Sequence, residues 1–227
     1  MSEMEIFSER LKEVSVRCSI RLDYIIFPID VYEMFQALKE AGYEITAPPL
    51  PSKSPNVSLK FAFSGPFAKK NGNTFDGNTD RAFFGVAGKT FESSYESLND
   101  FIRIINEKLG VNLSENISFQ EIISSFSCSS EKNPIENLSK VFDDCKMIPK
   151  LNSILQDEVS LSTLKIVPRG FTPHQKNWFE ITIQPDNINP SRYNIRIIFR
   201  NEDTSVFEEF GRNMINYLTN IIQEIES

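Results

Sequence analysis

Histidine occurs once in the 227 residues, at His174, tryptophan once, at Trp178, and cysteine three times, at Cys18, Cys128 and Cys145. A histidine-based zinc site needs a second histidine or nearby cysteines, and His174 has neither beside it in the chain. Three cysteines, widely spaced and with no CxxC pair, argue against a disulfide framework and fit a reducing compartment. Each reads as a small buried apolar residue. No apolar run approaches the ~20 residues that span a bilayer. Residues 1–14 mix charged and apolar side chains, without the basic start and unbroken apolar stretch of a secretory signal. The expectation is a soluble, cytoplasmic protein with no membrane contact. Cationic charge is also in deficit. Lys and Arg number 24 against 31 Asp and Glu, a net charge of −7. That argues against a dedicated DNA-binding protein, because phosphate neutralisation needs a basic surface, though it leaves room for a local basic patch.

What is present is ordinary globular composition, 40% hydrophobic and 24% charged, on a chain long enough for one large domain or two small ones. Phenylalanine is heavily used, at 19 residues. Phe buries much area and carries no polar handle, so most of these belong in the core.

Periodicity predicts the elements. Residues 1–14 read as a short amphipathic helix, with Ser2 and Glu5 as a capping box. Residues 16–27 alternate, with Val16, Cys18, Ile20, Leu22, Tyr24 and Ile26 on one face and Arg17, Ser19, Arg21 and Asp23 on the other, which is a half-buried strand. Asp30 caps a helix whose stripe is Val31, Met34, Phe35, Leu38 and Ala41, ended by Gly42. Four prolines make 46–56 a loop or extended crossing. Leu59, Phe61 and Phe63 mark a strand, 64–80 a long turn-rich loop, and 82–87 another strand. Phe91, Tyr95, Leu98, Ile102, Ile105 and Leu109 form a helical stripe stopped by Gly110. Residues 118–157 read as helical throughout, with capping boxes at Ser118/Glu121 and Asn133/Glu136, Pro134 at a first helical position, and Ile135, Leu138, Val141, Phe142 and Cys145 facing inward. Pro149 opens a further short helix. Strands follow at 161–167, 178–183 and 193–200, and a final helix at about 204–225.

The two halves share a grammar. A strand at 59–63 or 178–183 is followed by a proline, an Arg-led strand (from Arg81 or Arg192) and a long amphipathic helix. This suggests two duplicated strand–strand–helix units. Strands with one apolar and one polar face pair naturally with one-sided helices. The expected fold class is therefore α+β, with two layers: a mostly antiparallel sheet covered on one face by amphipathic helices. The expected organisation is an N-terminal α+β unit (1–112), a helical connector (113–157) and a C-terminal strand–strand–strand–helix unit (158–227).

Motifs for chemistry are few. Gly85-Val86-Ala87-Gly88-Lys89-Thr90 sits between a strand and a helix, where a phosphate loop would, but GxxxxGK[ST] places its first glycine at Phe83. It reads as a plain strand-to-helix turn. Asp76-Gly77-Asn78-Thr79-Asp80 opens like a calcium loop, yet positions six and twelve hold Arg81 and Ala87, so a mobile polar loop is the better reading. No GxSxG elbow accompanies His174, which reads as a surface histidine. Asp143 and Asp144 are adjacent on a helix and read as its solvated face. No catalytic residue, metal or cofactor is implied.

One constellation stands out. Arg192, Arg196 and Arg200 are spaced by four on a strand, which puts all three on one face. Arg17 and Arg21 repeat the arrangement on the first strand, and Lys60 and Lys165 could join them. Such a stripe suits carboxylates or phosphates, unless carboxylates such as Glu180 and Asp23 neutralise it across the sheet. Three functions compete. The first is a non-enzymatic interaction or scaffold module with a protein partner or a second copy of itself. A half-sheet backed by long helices is similar in outline to SecB-like export-chaperone folds, a likeness of layout from which function does not follow. The second is a nucleic-acid or anion binder using the arginine stripe, for which Trp178 is the one clear aromatic on a polar strand face. The third is an enzyme of unfamiliar type with its site in loops 64–80 and 168–177.

Overall fold

Nine strands, each antiparallel to its neighbours, form one open sheet in the computed structural model, which describes residues 9–23, 29–47 and 63–227. In chain order the elements are β1 (Leu11–Leu22), α1 (Val31–Glu40), β2 (Glu44–Ile45), β3 (Ser64–Lys70), β4 (Asn73–Asn78), β5 (Phe83–Gly88), α2 (Phe91–Leu109), β6 (Ile117–Ser129), α3 (Pro134–Val141), α4 (Ile148–Leu155), β7 (Leu164–Ile166), β8 (Trp178–Pro185), β9 (Arg192–Asn201) and α5 (Thr204–Glu226). Across the sheet the strands run β2-β3-β4-β5-β1-β6-β9-β8-β7, with the long strands β1 and β6 paired at its centre. The fold is α+β, as the alternating strands and striped helices imply.

Local chemistry sets most boundaries. Asp30, Thr90, Asn133 and Asp203 each accept backbone N–H bonds as N-caps of α1, α2, α3 and α5. Gly110 closes α2 in the left-handed conformation, φ 64°. The core lies between the sheet and the helices. Phe67 is its aromatic hub, with ring centroids 5.9 Å from Phe35, 6.1 Å from Phe84 and 6.0 Å from Phe101. Rings at such spacings add to a burial worth roughly 1.5–3 kcal/mol per large side chain. Helices α2 and α5 meet where Gly211 leaves room for the Phe91 ring. On α4, by contrast, Ile154 and Leu155 are exposed, and the helix buries no residue. On α3, Leu138 is buried but Ile135 and Val141 are exposed, against the inward stripe expected there.

Three expectations are corrected. The stretch 118–129 is strand, not helix. Along β6 burial alternates without a break, with Ser118, Gln120, Ile122, Ser124, Phe126 and Cys128 on the buried side. Three of those six are polar, so hydrophobicity did not alternate with the backbone, and the Ser118/Glu121 pattern imitated a helix start. Residues 64–80 are not a loop but the hairpin β3–β4. Asn71 and Gly72, at φ 51° and 81°, make the two-residue turn between paired Lys70 and Asn73, and Asn-Gly is the preferred sequence for that geometry. The N-terminal helix does not reach Val14. Glu9 and Arg10 are helical, and β1 begins at Leu11. The strand expected at 59–63 lies outside the described residues except for Phe63, as do Lys60 and the proline-rich stretch from residue 48.

β1 carries one irregularity that matters below. Glu13 pairs with Phe126 and Ser15 with Ser125, so Val14 is an extra residue bulged out to solvent, 62% exposed. The bulge reverses the facing of the residues before it. Leu11 and Glu13 point to the core side, and Lys12 points to the other.

Candidate anion-binding face

Helices pack on only one side of the sheet. Asn137 of α3 reaches the Tyr193 hydroxyl, Lys70 of β3 reaches Asp100 of α2, and the buried alternate residues of every central strand look the same way. The opposite side is covered by no helix among the described residues. Register places all five arginines of the expected stripe there: Arg17 lies across from Ile123, which lies across from Ile198; Arg21 from Phe119; Arg196 from Ser125; Arg200 from Glu121; and Arg192 from Ser129.

Two of the five are already engaged. Arg17 donates from Nε and Nη2 to the two carboxylate oxygens of Asp76 (3.2 and 2.7 Å), and its guanidinium lies 4.7 Å above the Phe83 ring. The pair passes over Gly85, where a Cβ would meet Asp76 Oδ1 at 2.8 Å and Arg17 Nη2 at 2.9 Å. Gly85 is therefore there for that ion pair, and Phe83, at the first glycine position of a phosphate loop, is a strand residue. Arg200 donates to Glu121 Oε2 from Nε and Nη2, donates from Nη1 to the carbonyls of Pro173 (2.9 Å) and Gln175 (3.3 Å), and lies 4.8 Å over Phe119. It pins the 168–177 segment onto the sheet. Trp178, on the same row as Arg200, is only 7% exposed.

Glu180 neutralises Lys165 (2.9 Å) as expected, but the partners of the engaged arginines are Asp76 and Glu121, and Asp23 pairs with Lys176 (3.6 Å) instead. The reason is element assignment. Sequence pattern puts Asp76 in a loop and Glu121 in a helix, whereas both are strand residues of this face.

The other three arginines have no hydrogen-bonded or ion-paired side chain among the described residues. Arg192 and Arg196 are exposed and Arg21 is half-buried. Asp186 stands close enough to Arg192 to feel its charge, but the amides of Ile188 and Asn189 already hold that carboxylate, and they are the larger reason it sits below the usual carboxylate range. The bulge adds Lys12, exposed and unpartnered, a residue hidden from sequence reasoning by the helix expected over 1–14.

Charge on this face can now be counted over strand residues. Three cations are ion-paired: Arg17 to Asp76, Arg200 to Glu121 and Lys165 to Glu180. Lys69 stands opposite Glu44 in register. Lys12, Arg21, Arg192 and Arg196 remain, so a face of net charge +4 sits on a chain of net charge −7. Between Lys12, Arg192 and Arg196 the floor is Ser125, Ser127, Ser129 and Asn194, short polar side chains in facing register.

The remaining candidates hold no assembled chemistry. His174 is exposed, in a turn. Asp143 and Asp144 are both solvated. Asp76 to Asn78 is strand rather than calcium loop. Cys18 and Cys128 are buried, and burial pushes both thiols upward, while Cys145 is half-buried. No helix of the described residues is long and apolar enough to cross a membrane. No protein-family model matches the sequence, and the curated proteins contain no match to it.

Proposed function

We infer that this chain is a non-enzymatic interaction module that meets a protein partner on the helix-free face of its sheet. One observation carries the reading: the face keeps a net charge of +4, with Lys12, Arg21, Arg192 and Arg196 having neither an ion pair nor a carboxylate opposite in register among the described residues, on a protein that is acidic as a whole. Unpaired charge gains nothing for the fold, and a sheet face that served only as surface would be neutralised across the strands, as Arg17 and Arg200 are. Nucleic acid is the second reading, and the rings count against it. Phe83 and Phe119 each have a guanidinium over one face, and Trp178 is nearly buried, so the described strand residues of this face offer bases no open stacking platform. We also propose descent from a duplicated strand–strand–helix unit, argued from the recurrence of β4–β5–α2 as β8–β9–α5 on either side of the β1–β6 pair.

The test is affinity capture from a lysate of the source cells with three baits: the native chain, Arg192→Glu with Arg196→Glu, and Arg103→Glu on the helix side. A defined partner retained by the first and third baits and lost from the second is the expected outcome. Equal retention by all three would move the interface off this face.

A further inference from the structure

Resting on that reading, we propose that the end of the helix-free face bounded by Lys12, Arg192 and Arg196 binds an extended acidic stretch of polypeptide, laid along β9 over the serine floor of β6. Charge complementarity is the first argument. These three cations are exposed and without ion pairs, and they lie at the end of the face away from the ion pairs of Arg17 and Arg200.

Spacing is the second argument. Arg192, Asn194 and Arg196 point the same way at two-residue intervals, about 6.8 Å each at ~3.4 Å per residue. An extended peptide repeats its own side chains at that interval. Carboxylates four residues apart on such a peptide therefore stay in step with the two arginines, and the side chain between them lies over Asn194. Lys12 lies two strands away on the row of Asn194 through Ser127, about 10 Å off at ~4.8 Å per strand. It takes a carboxylate on the far flank. The floor supplies the third argument. Ser125, Ser127 and Ser129 are short, so a chain can lie close to the sheet, and their hydroxyls both donate and accept hydrogen bonds. Guanidinium groups take carboxylates in two-point contacts, which adds direction to attraction.

The probe is a fluorescein-labelled peptide of alternating Glu and Ser, about twelve residues long, titrated by anisotropy at low ionic strength with the full chain. A labelled single-stranded oligothymidine runs beside it. Arg192→Gln with Arg196→Gln is expected to lower peptide affinity about tenfold or more. Arg103→Gln, on α2, is expected to leave it unchanged, and added salt should weaken it steeply. Neither substituted side chain makes a hydrogen bond or ion pair in the described residues, and the Asp186 carboxylate near Arg192 is held by backbone amides, so circular dichroism and melting of the double variant should match the native chain. Failure of the peptide to bind, binding indifferent to the double variant, or capture of oligothymidine in place of the peptide each overturns the inference. A captured partner that depends on Arg192 and Arg196, with no binding of the peptide, would sink the acidic ligand while leaving the interaction face standing.

Discussion

The carboxyl group of Glu13 should set how stability depends on pH. The Val14 bulge turns this side chain into the helix-covered side of the sheet, opposite Phe126. There it accepts from the Ser124 hydroxyl at 3.4 Å and from the Phe91 amide, and it faces Glu92 in the first turn of α2. Burial and then the charge of Glu92 push its pKa from 4.5 up to about 7, against the smaller pull of the two hydrogen bonds. A carboxyl raised in the folded state binds its proton more tightly there than in the unfolded chain. Between the two values the native state holds more protons, so stability falls as pH rises through that window, and the loss is complete above about 7. At ~1.4 kcal/mol per tenfold change, a dry site would lose about 3 kcal/mol. Glu13 is only partly buried, and solvent screening reduces this to about 1–2 kcal/mol.

Glu13→Gln keeps the acceptor and the shape and removes the titration. It should stabilise the protein by about 1–2 kcal/mol at pH 8, which for a chain of this size is about 3–6 °C in Tm, and should change little at pH 5. Thermal and urea unfolding of both proteins at the two pH values measures this directly. A Glu13→Gln protein less stable than native at pH 8 would refute the reasoning. It would mean that the positive end of α2 holds the carboxylate more strongly than burial and Glu92 oppose it. Glu92→Gln gives an independent check: by lowering the Glu13 pKa it should end the falling limb at a lower pH and leave a smaller loss of stability above it.

Two further predictions concern contacts that sequence reasoning does not reach. Both carboxylate oxygens of Glu226 accept from Arg10 Nη2 (2.9 and 2.8 Å), and one also accepts from the Ser130 hydroxyl, with the Arg10 and Glu226 side chains only 13% and 9% exposed; Glu226→Ala should cost about 2–3 kcal/mol in urea unfolding, because the sheltered Arg10 charge loses its carboxylate and keeps only neutral acceptors such as the Ser129 carbonyl. Gly211→Ala gains helix propensity but drives a methyl into the Phe91 ring, which is itself buried between α2 and α5; a net loss of about 1–3 kcal/mol is expected, and a rise in Tm would show that the two helices can part without penalty.

Legibility in the sequence followed how purely each element sorts its side chains. The stripe of α2 and the alternation of β9 are unmixed, and both were readable nearly to the residue. β6 was not, because Ser118, Gln120 and Ser124 occupy its buried face while Phe119 and Ile123 occupy the open one. Its place at the centre of the sheet, with β1 and β9 on either side, decides its backbone where its own pattern does not. The same error hid the arginine partners. Period two was enough to put Arg17, Arg21, Arg192, Arg196 and Arg200 on one face, but which of them are neutralised depends on Asp76 and Glu121. Those carboxylates become neighbours only once β4 and β6 are strands. The Asn71-Gly72 turn was the available signal for the first of these, being the strongest short-range mark of a hairpin.

A single extra residue connects the two faces. With Val14 bulged, Leu11 fills the core, Glu13 reaches the start of α2, and Lys12 joins the cations of the open face. Without the bulge the alternation of β1 would continue unbroken from Val16, turning Lys12 inward and Leu11 and Glu13 outward. That arrangement would bury an ammonium and expose a leucine, so the register is held by burial of Leu11 and by the charge of Lys12, against the cost of turning Glu13 inward. The same displacement therefore makes Glu13 the group through which pH acts on this strand and Lys12 the far edge of the proposed peptide site. Occupancy of the site and the protonation of Glu13 are carried by neighbouring residues of one strand, facing opposite sides of the sheet.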